Sequence, residues 1–419
     1  MSKTTIIRAE TLFDGRRKLT DATVVIEDDR IVEVGRRRLR ADFVGVVTPA
    51  FIDAHSHIGM LRQGEPGDEA EANDITDQFL PVNDPLDSIY FDDPAFAEAV
   101  EFGVLYSCVV PGSGNLVGGR AMVIRNFAPN RAQALVKDYG FKMALGYNPR
   151  STGAWKGSRP NTRMGIYGML EKRFDLVLAK KEKAELSRAR KTRELEQRAR
   201  EKKLSRQEVD GERAQIEQEH RLELDSEDRA LLEMLVEKKT AKVHVHKEDD
   251  AFYLIELVKK YKLNVTAEHL LDVFHQEVFD ALADAGIPVV YGPPGCLAYK
   301  VELKHADFRN VRLLMKSRAF YGLMTDHPVI MAPMLRDSLK YFLIHGMKEE
   351  EALSIITSRN ARILGLDGEL GTIEAGKLAS LTVWDKNPFH LGAFPNMVMA
   401  EGRVVRQRGT AKIPRPKKV

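Results

Sequence analysis

Cysteine is almost absent: Cys108 and Cys296 alone occur among 419 residues, too few for a disulfide framework. Long apolar runs are missing as well. No stretch reaches the roughly 18 consecutive apolar residues that a membrane-spanning helix needs, and the start MSKTTIIRAE carries no apolar signal region. A reducing, cytoplasmic setting is therefore expected. Neither sign of charge dominates, since 64 basic and 61 acidic residues leave a formal net charge of +3. That balance gives no reason to expect a nucleic-acid or membrane partner. A small-molecule substrate is expected instead, with assembly into a homo-oligomer left open. The weakly basic end IPRPKKV reads as a solvated terminus.

What the chain does have is histidine in pairs. The segment FIDAHSHIGM places His55 and His57 two residues apart at the end of an apolar run. Side chains at i and i+2 of a strand share a face, so both imidazoles converge on one point. With 11 histidines in the chain, chance supplies roughly 0.3 such pairs. Yet KVHVHKED carries a second pair, His244 and His246. Two pairs on two apolar runs favour a metal site over coincidence. His269 in LNVTAEHLLD and Asp326 in GLMTDHPVI likewise stand at the C-terminal ends of short apolar runs. Strand ends are where the sites of TIM barrels lie.

Taken in the order His-x-His, His, His, Asp, these positions resemble the amidohydrolase superfamily of metal-dependent hydrolases. TPAFIDAHSHIG is similar to the entry of that family into its first barrel strand, and residues 347–385 to its closing helix and return to a small β domain. DDPAFAEAVEFGVLYSCVVPGSGNLVGGRAMVIR is similar to a stretch of the imidazolonepropionase-like branch. The resemblance implies an α/β fold: a (β/α)8 TIM barrel over residues 49–365 and a small β-sandwich built from 1–48 and 366–412. Period-two alternation in DATVVIEDDRIVEVG and NMVMAEGRVVRQRG independently reads as strands at both ends.

The resemblance also implies roles. His55, His57, His244, His269 and Asp326 would bind a divalent transition metal, with Zn foremost. Neutral imidazoles equally suit Ni or Fe. Water activated there would attack an amide, cyclic amide or peptide C–N bond, with Asp326 as proton shuttle. His269 would bind metal or polarise the carbonyl, and between His244 and His246 the relatives suggest His244. Arg163 matches relatives and would hold a substrate carboxylate, with a structural ion pair as the alternative; Arg150 and Lys300 are weaker candidates. A deaminase or lactonase could use the same site, and a metal-poor scaffold whose insertion binds a partner is the non-enzyme alternative.

One departure bears on metal number. Relatives carry a glutamate in a Gly-Glu-Asn-Pro motif at the end of the third strand, where this chain reads MALGYNPR with Tyr147 in that place. A neutral phenol is a poor ligand at pH 7. Lys142, at an odd offset from Tyr147, counts onto the opposite face and is not expected to replace it as a carboxylated bridge. One ion, held by His55, His57, His244 and Asp326, is therefore expected, with two ions or a lost activity as the alternatives.

Residues 178–235 change character, being rich in Ala, Glu, Lys, Arg and Leu and nearly free of aromatics. Those are helix formers, so an exposed helical hairpin broken near Gly211 is expected, acting as a lid or partner surface or merely as a solvated insertion. His220 within it is not expected to be a ligand. The glycine-rich segments 111–120, 147–165 and 291–300 lack nucleotide-binding spacing and read as turns at strand ends.

Overall fold

A computed structural model describes residues 3–151, 159–202 and 204–409. The middle of the 147–165 segment and the basic end 413–419 lie outside the described residues. Strands β1 (Thr4–Phe13), β2 (Lys18–Glu27) and β3 (Arg30–Gly35) form an antiparallel meander, and β4 (Phe43–Pro49) runs parallel to β1. The alternation read from sequence is physical here: Ile7 and Ala9 are buried while Arg8 and Glu10 are exposed.

The barrel follows, with β5 (Phe51–Ser56), β6 (Val104–Val109), β7 (Val117–Arg125) and β8 (Leu135–Ala144). Its second half is β9 (Thr240–Val245), β10 (Val265–His269), β11 (Val289–Tyr291) and β12 (Tyr321–Leu323). These eight strands hydrogen-bond in chain order from β5 to β12. The order departs from a uniform (β/α)8 repeat in one place, because β7 is antiparallel to both β6 and β8. Only residues 110–116 join β6 to β7, and parallel pairing would need a crossover of about a dozen residues or more. Strands β13 (Leu381–Trp384), β14 (Pro395–Ala400) and β15 (Arg403–Gln407) then join β4. Both chain ends thus share one continuous seven-stranded sheet, rather than two separately bonded layers.

Side chains and main-chain bonds together close the seam between β12 and β5: Thr325 N donates to Asp53 Oδ1 at 3.0 Å, Asp326 N to His55 O at 3.1 Å, and Asn360 bonds both strands. Asn360 donates through Nδ2 to Ile52 O at 2.6 Å and to Leu323 O at 2.8 Å, and accepts from Leu323 N at 3.0 Å. Gly322 has to be glycine for this, since a Cβ there would stand 1.9 Å from Asn360 Oδ1. Asn360→Ala should cost about 2–5 kcal/mol, because it strands main-chain groups without solvent. A urea midpoint equal to that of the parent would remove the staple from the account.

The charged stretch is helical. A 40-residue helix, Arg163–Lys202, returns through Arg206–Leu222 and is followed by Ser226–Leu235. The break falls just before Arg206 and not at Gly211, which sits inside the return helix. A capping box of Ser205 and Glu208 starts that helix, and such a box outweighs the penalty of about 1 kcal/mol for one helical glycine. The first turns of the long helix bury Ile166, Leu170, Phe174 and Val177 and run alongside the helix Glu248–Tyr261. Tyr167 bonds Asp250 at 2.6 Å near the start of both, and Tyr261 bonds Asp175 at 2.7 Å near the end of the second.

Since Glu248–Tyr261 leaves the C-terminal end of β9, both helices descend toward the N-terminal rim of the barrel. Residues 178–202 continue beyond it by about 37 Å at 1.5 Å per residue. The hairpin therefore points away from the barrel face that carries the histidines, which argues against a lid. Its seam is thin, with Ala184, Leu195 and Ile216 buried and Arg188–Glu217 and Lys191–Glu219 pairs at 2.7 Å across it. Deleting Glu185–His220 behind a short Gly/Ser linker keeps the Lys180–Asp228 pair and should leave the barrel folded. Loss of a cooperative melt in that variant would place the hairpin in the core. Among the described residues no helix is long and apolar enough to cross a membrane.

Candidate active site

The barrel strands bring His55, His57, His244, His246, His269 and Asp326 together at their C-terminal ends, although 271 positions separate the first of these from the last. His55 Nε2 lies 3.5 Å and His57 Nε2 3.1 Å from Asp326 Oδ1. The ligand atoms of His55, His269 and Asp326 lie within 4.8 Å of one another, and so do those of His244, His246 and His269. Two overlapping groups able to hold a metal therefore share His269.

Each of the four principal imidazoles is held from behind by Nδ1. His55 donates to Glu268 Oε2 at 2.8 Å, His57 to Val110 O at 2.7 Å and His269 to Gly292 O at 3.0 Å. His244 Nδ1 pairs with Ser113 Oγ at 2.9 Å. Carbonyl and carboxylate partners require the proton on Nδ1, which leaves Nε2 of His55 and His57 as the lone-pair donors facing Asp326, while His269 has its Nδ1 3.9 Å from Asp326 Oδ2. His246 lacks such a tether, since its Nδ1 has no partner. Of the fifth-strand pair, His244 is thus the one oriented as a ligand.

The donors converge without enough protons. His269 Nε2 is buried with no partner. His57 faces a carbonyl at one nitrogen and a carboxylate at the other, and a neutral ring donates to only one of them. An imidazolium would donate to both, and a divalent cation between a neutral His57 and Asp326 would satisfy both as well and fits a set of imidazole and carboxylate donors. The backbone is strained at the same point, with positive φ at His269 (77°), Leu270 (56°) and Asp326 (52°). Such conformations cost on the order of 1–3 kcal/mol each, and their clustering marks a functional site.

Burial sets the protonation states. It holds His55, His246 and His269 well below the ordinary value of 6.5 and His244 at about 4. Burial pushes the Asp326 carboxyl up, but the bond to His57 and the nearby His57 and Lys142 outweigh it, so the group titrates below its ordinary value. At neutral pH His55, His244, His246 and His269 are therefore neutral and Asp326 is ionised. A histidine that stays neutral in the fold but protonates when unfolded costs stability as pH falls below 6.5, until the folded group itself titrates near 4. For His244 that loss is on the order of 3 kcal/mol. Urea unfolding of chelator-treated protein between pH 7 and pH 4.5 should show a falling midpoint, and a flat profile would contradict the buried neutral state.

Four buried charged residues stand in the site where the sequence reading did not place them: Lys142, Lys242, Glu268 and Glu302. Lys142 was counted onto the outer face, but it is fully buried and donates through Nζ to His55 Nε2 at 2.9 Å. Alternation had been carried through residues that are not strand: β8 ends at Ala144, and Gly146 turns the chain with φ 79°. Its strand is also the fourth of the barrel, not the third, because β7 intervenes. Burial brings the Lys142 amine down to about 8, partly opposed by Asp326 and Glu268. Glu268 bonds His55 and, at 3.0 Å, Lys242, both fully buried. Glu302, in the turn after β11, lies 3.2 Å from His244 Nε2. Lysines inside apolar strand runs were the available signal for Lys142 and Lys242; Glu302 lies outside any strand.

Arg163 is engaged by Asp249 at 2.7 Å, on the rim of a 190 Å³ cavity that also meets Tyr147, Arg150 and Glu302. The ion-pair alternative thus describes its present contact. Tyr147 faces that cavity, and its main-chain N–H donates to Glu302 Oε2 at 2.8 Å.

The sequence pattern of the amidohydrolase family matches residues 207–407. An amidohydrolase of Thermotoga maritima MSB8, solved by crystallography, aligns with a TM-score of 0.83 at 29% identity over 96% of this chain and 100% of that one. The amidohydrolase tasK of Hapsidospora irregularis is 24% identical over 398 residues, which are 91% of this chain and 38% of that protein. An imidazolonepropionase of Symbiobacterium thermophilum is 26% identical over 160 residues, 35% of this chain and 36% of that protein. The chain thus spans well under half the length of these curated relatives. With the barrel and the strand-end histidines in place, the chain is similar to amidohydrolases over most of its length and to imidazolonepropionases over part of it.

Proposed function

We propose that the chain is a metal-dependent hydrolase of C–N bonds in small amides, cyclic amides or short peptides. The observation that carries this reading is the set of imidazoles tethered through Nδ1, with Nε2 of His55 and of His57 facing Asp326. His55, His57, His244, His269 and Asp326 would hold the ion, with Zn first among candidates. A bound divalent cation supplies Lewis acidity that lowers the pKa of water and polarises a carbonyl.

The chain's own groups do the rest. Asp326 is ionised at neutral pH; its Oδ1 faces His55 and His57, leaving Oδ2 to take the proton of the attacking water and pass it to the leaving nitrogen. Glu268 and the carbonyls of Val110 and Gly292 fix ring orientation, so little reorganisation is needed when charge develops. His269, tied to Gly292 O with Nε2 free of protein partners, is better placed to bind the ion than to polarise substrate.

Elemental analysis of the purified chain, followed by assay on cyclic amides, N-acyl amino acids and dipeptides with and without chelator, tests the proposal. Bound transition metal and a chelator-sensitive activity are expected. A chain without metal that hydrolyses none of these classes would overturn it.

A further inference from the structure

We propose that Glu302 is a metal ligand, forming with His244 and His269 a second donor set beside that of His55, His57 and Asp326. The inference rests on the reading that the site holds a transition metal. Two atoms that bind one ion at about 2.0–2.2 Å stand about 3–3.5 Å apart. Glu302 Oε1 is 3.2 Å from His244 Nε2, matching the 3.1 Å between Asp326 Oδ1 and His57 Nε2. His246 Nε2 stands farther off, at 3.9 Å. His269 stands between the two, grouped once with His244 and His246 and once with His55 and Asp326.

The surroundings are built around this carboxylate. Glu302 is 1% exposed. Tyr147 N–H holds the other oxygen at 2.8 Å, as second-sphere donors hold ligating carboxylates. Gly146 leaves the room, because a Cβ there would come within 2.8 Å of Glu302 Oε2. Lys300 Nζ, 2.7 Å from Oε1, balances the buried charge. The same 3.2 Å suits a hydrogen bond from His244 Nε2–H when Ser113 O–H donates to Nδ1, and metal titration separates that arrangement from ligation. Ligation by Glu302 supplies the acidic ligand missing at Tyr147 from the turn after β11, and Tyr147 contributes its main chain to hold it.

The test is cobalt(II) titration of the chelator-treated full chain, followed by calorimetry and by the visible absorption of the bound ion. Glu302→Gln keeps the volume and an acceptor for Tyr147 N–H, so the fold should persist, which circular dichroism checks. In it, one class of cobalt binding should weaken by about 10- to 100-fold or more and the visible band should change. Glu302→Asp should recover part of the affinity. Lys300→Met separates the roles, because cobalt uptake should survive there if Glu302 is a ligand. Unchanged cobalt number, affinity and spectrum in Glu302→Gln would overturn the inference while leaving the hydrolase reading intact. A parent chain that takes up no cobalt would overturn the hydrolase reading itself, and the inference with it.

Discussion

Asp326→Asn should lower kcat by at least about a hundredfold on any substrate the chain hydrolyses, with the fold unchanged. The substitution keeps the shape of the side chain and an oxygen to face His57, but removes the group able to take a proton. Its effect should fall on kcat more than on KM, because proton transfer occurs only on the way to the transition state. Turnover within a few-fold of the parent would remove Asp326 from the mechanism. His55→Ala should behave differently. It takes away one imidazole and leaves Lys142 and Glu268 without their shared partner, so metal occupancy should fall first. Full metal occupancy in that variant would mean the ligand set is wrongly drawn.

The second large effect is expected at Lys142, because its fully buried amine touches His55 and feels both Asp326 and Glu268. With a pKa brought down to about 8, an appreciable fraction is neutral amine near pH 8. A neutral amine can add carbon dioxide with loss of a proton, giving a carbamate that would offer the site an anionic oxygen donor. Lys142→Met should therefore bind about one ion fewer per chain than the parent and turn over about a hundredfold more slowly. Bicarbonate should speed metal loading of the stripped parent and have no effect on the variant. Equal metal content in both proteins would exclude that donor and restore the single-ion arrangement read from Tyr147.

Much of the site was legible because its residues sit where local rules apply. His55 with His57, and His244 with His246, repeat at the strand period on apolar runs, and His269 and Asp326 close similar runs. Counting failed where the strand did. The parity that excluded Lys142 ran through Gly146, whose left-handed turn resets the direction of the chain. The hairpin shows the same division. Helix-forming composition announced it, but its break moved from Gly211 to Ser205 because a capping box outweighs one helical glycine. Its direction, away from the site, followed only from the helix pairing of Tyr167 and Tyr261 with Asp250 and Asp175.

By itself, then, the sequence determined that paired histidines close apolar strand runs, that strands stand at both chain ends, and that a charged helical segment interrupts the barrel. These depend on side-chain chemistry and on periods of two or 3.6 residues, both written locally. Tertiary structure decided that β7 runs antiparallel, that Asn360 bonds both β12 and β5, that Lys142 and Glu268 back His55, and that Glu302 reaches His244. The last three join residues far apart along the chain, which no local period records, while the direction of β7 follows from the short connection 110–116. Only closure of the barrel, with eight strand ends packed around one centre, brings those charges within bonding reach.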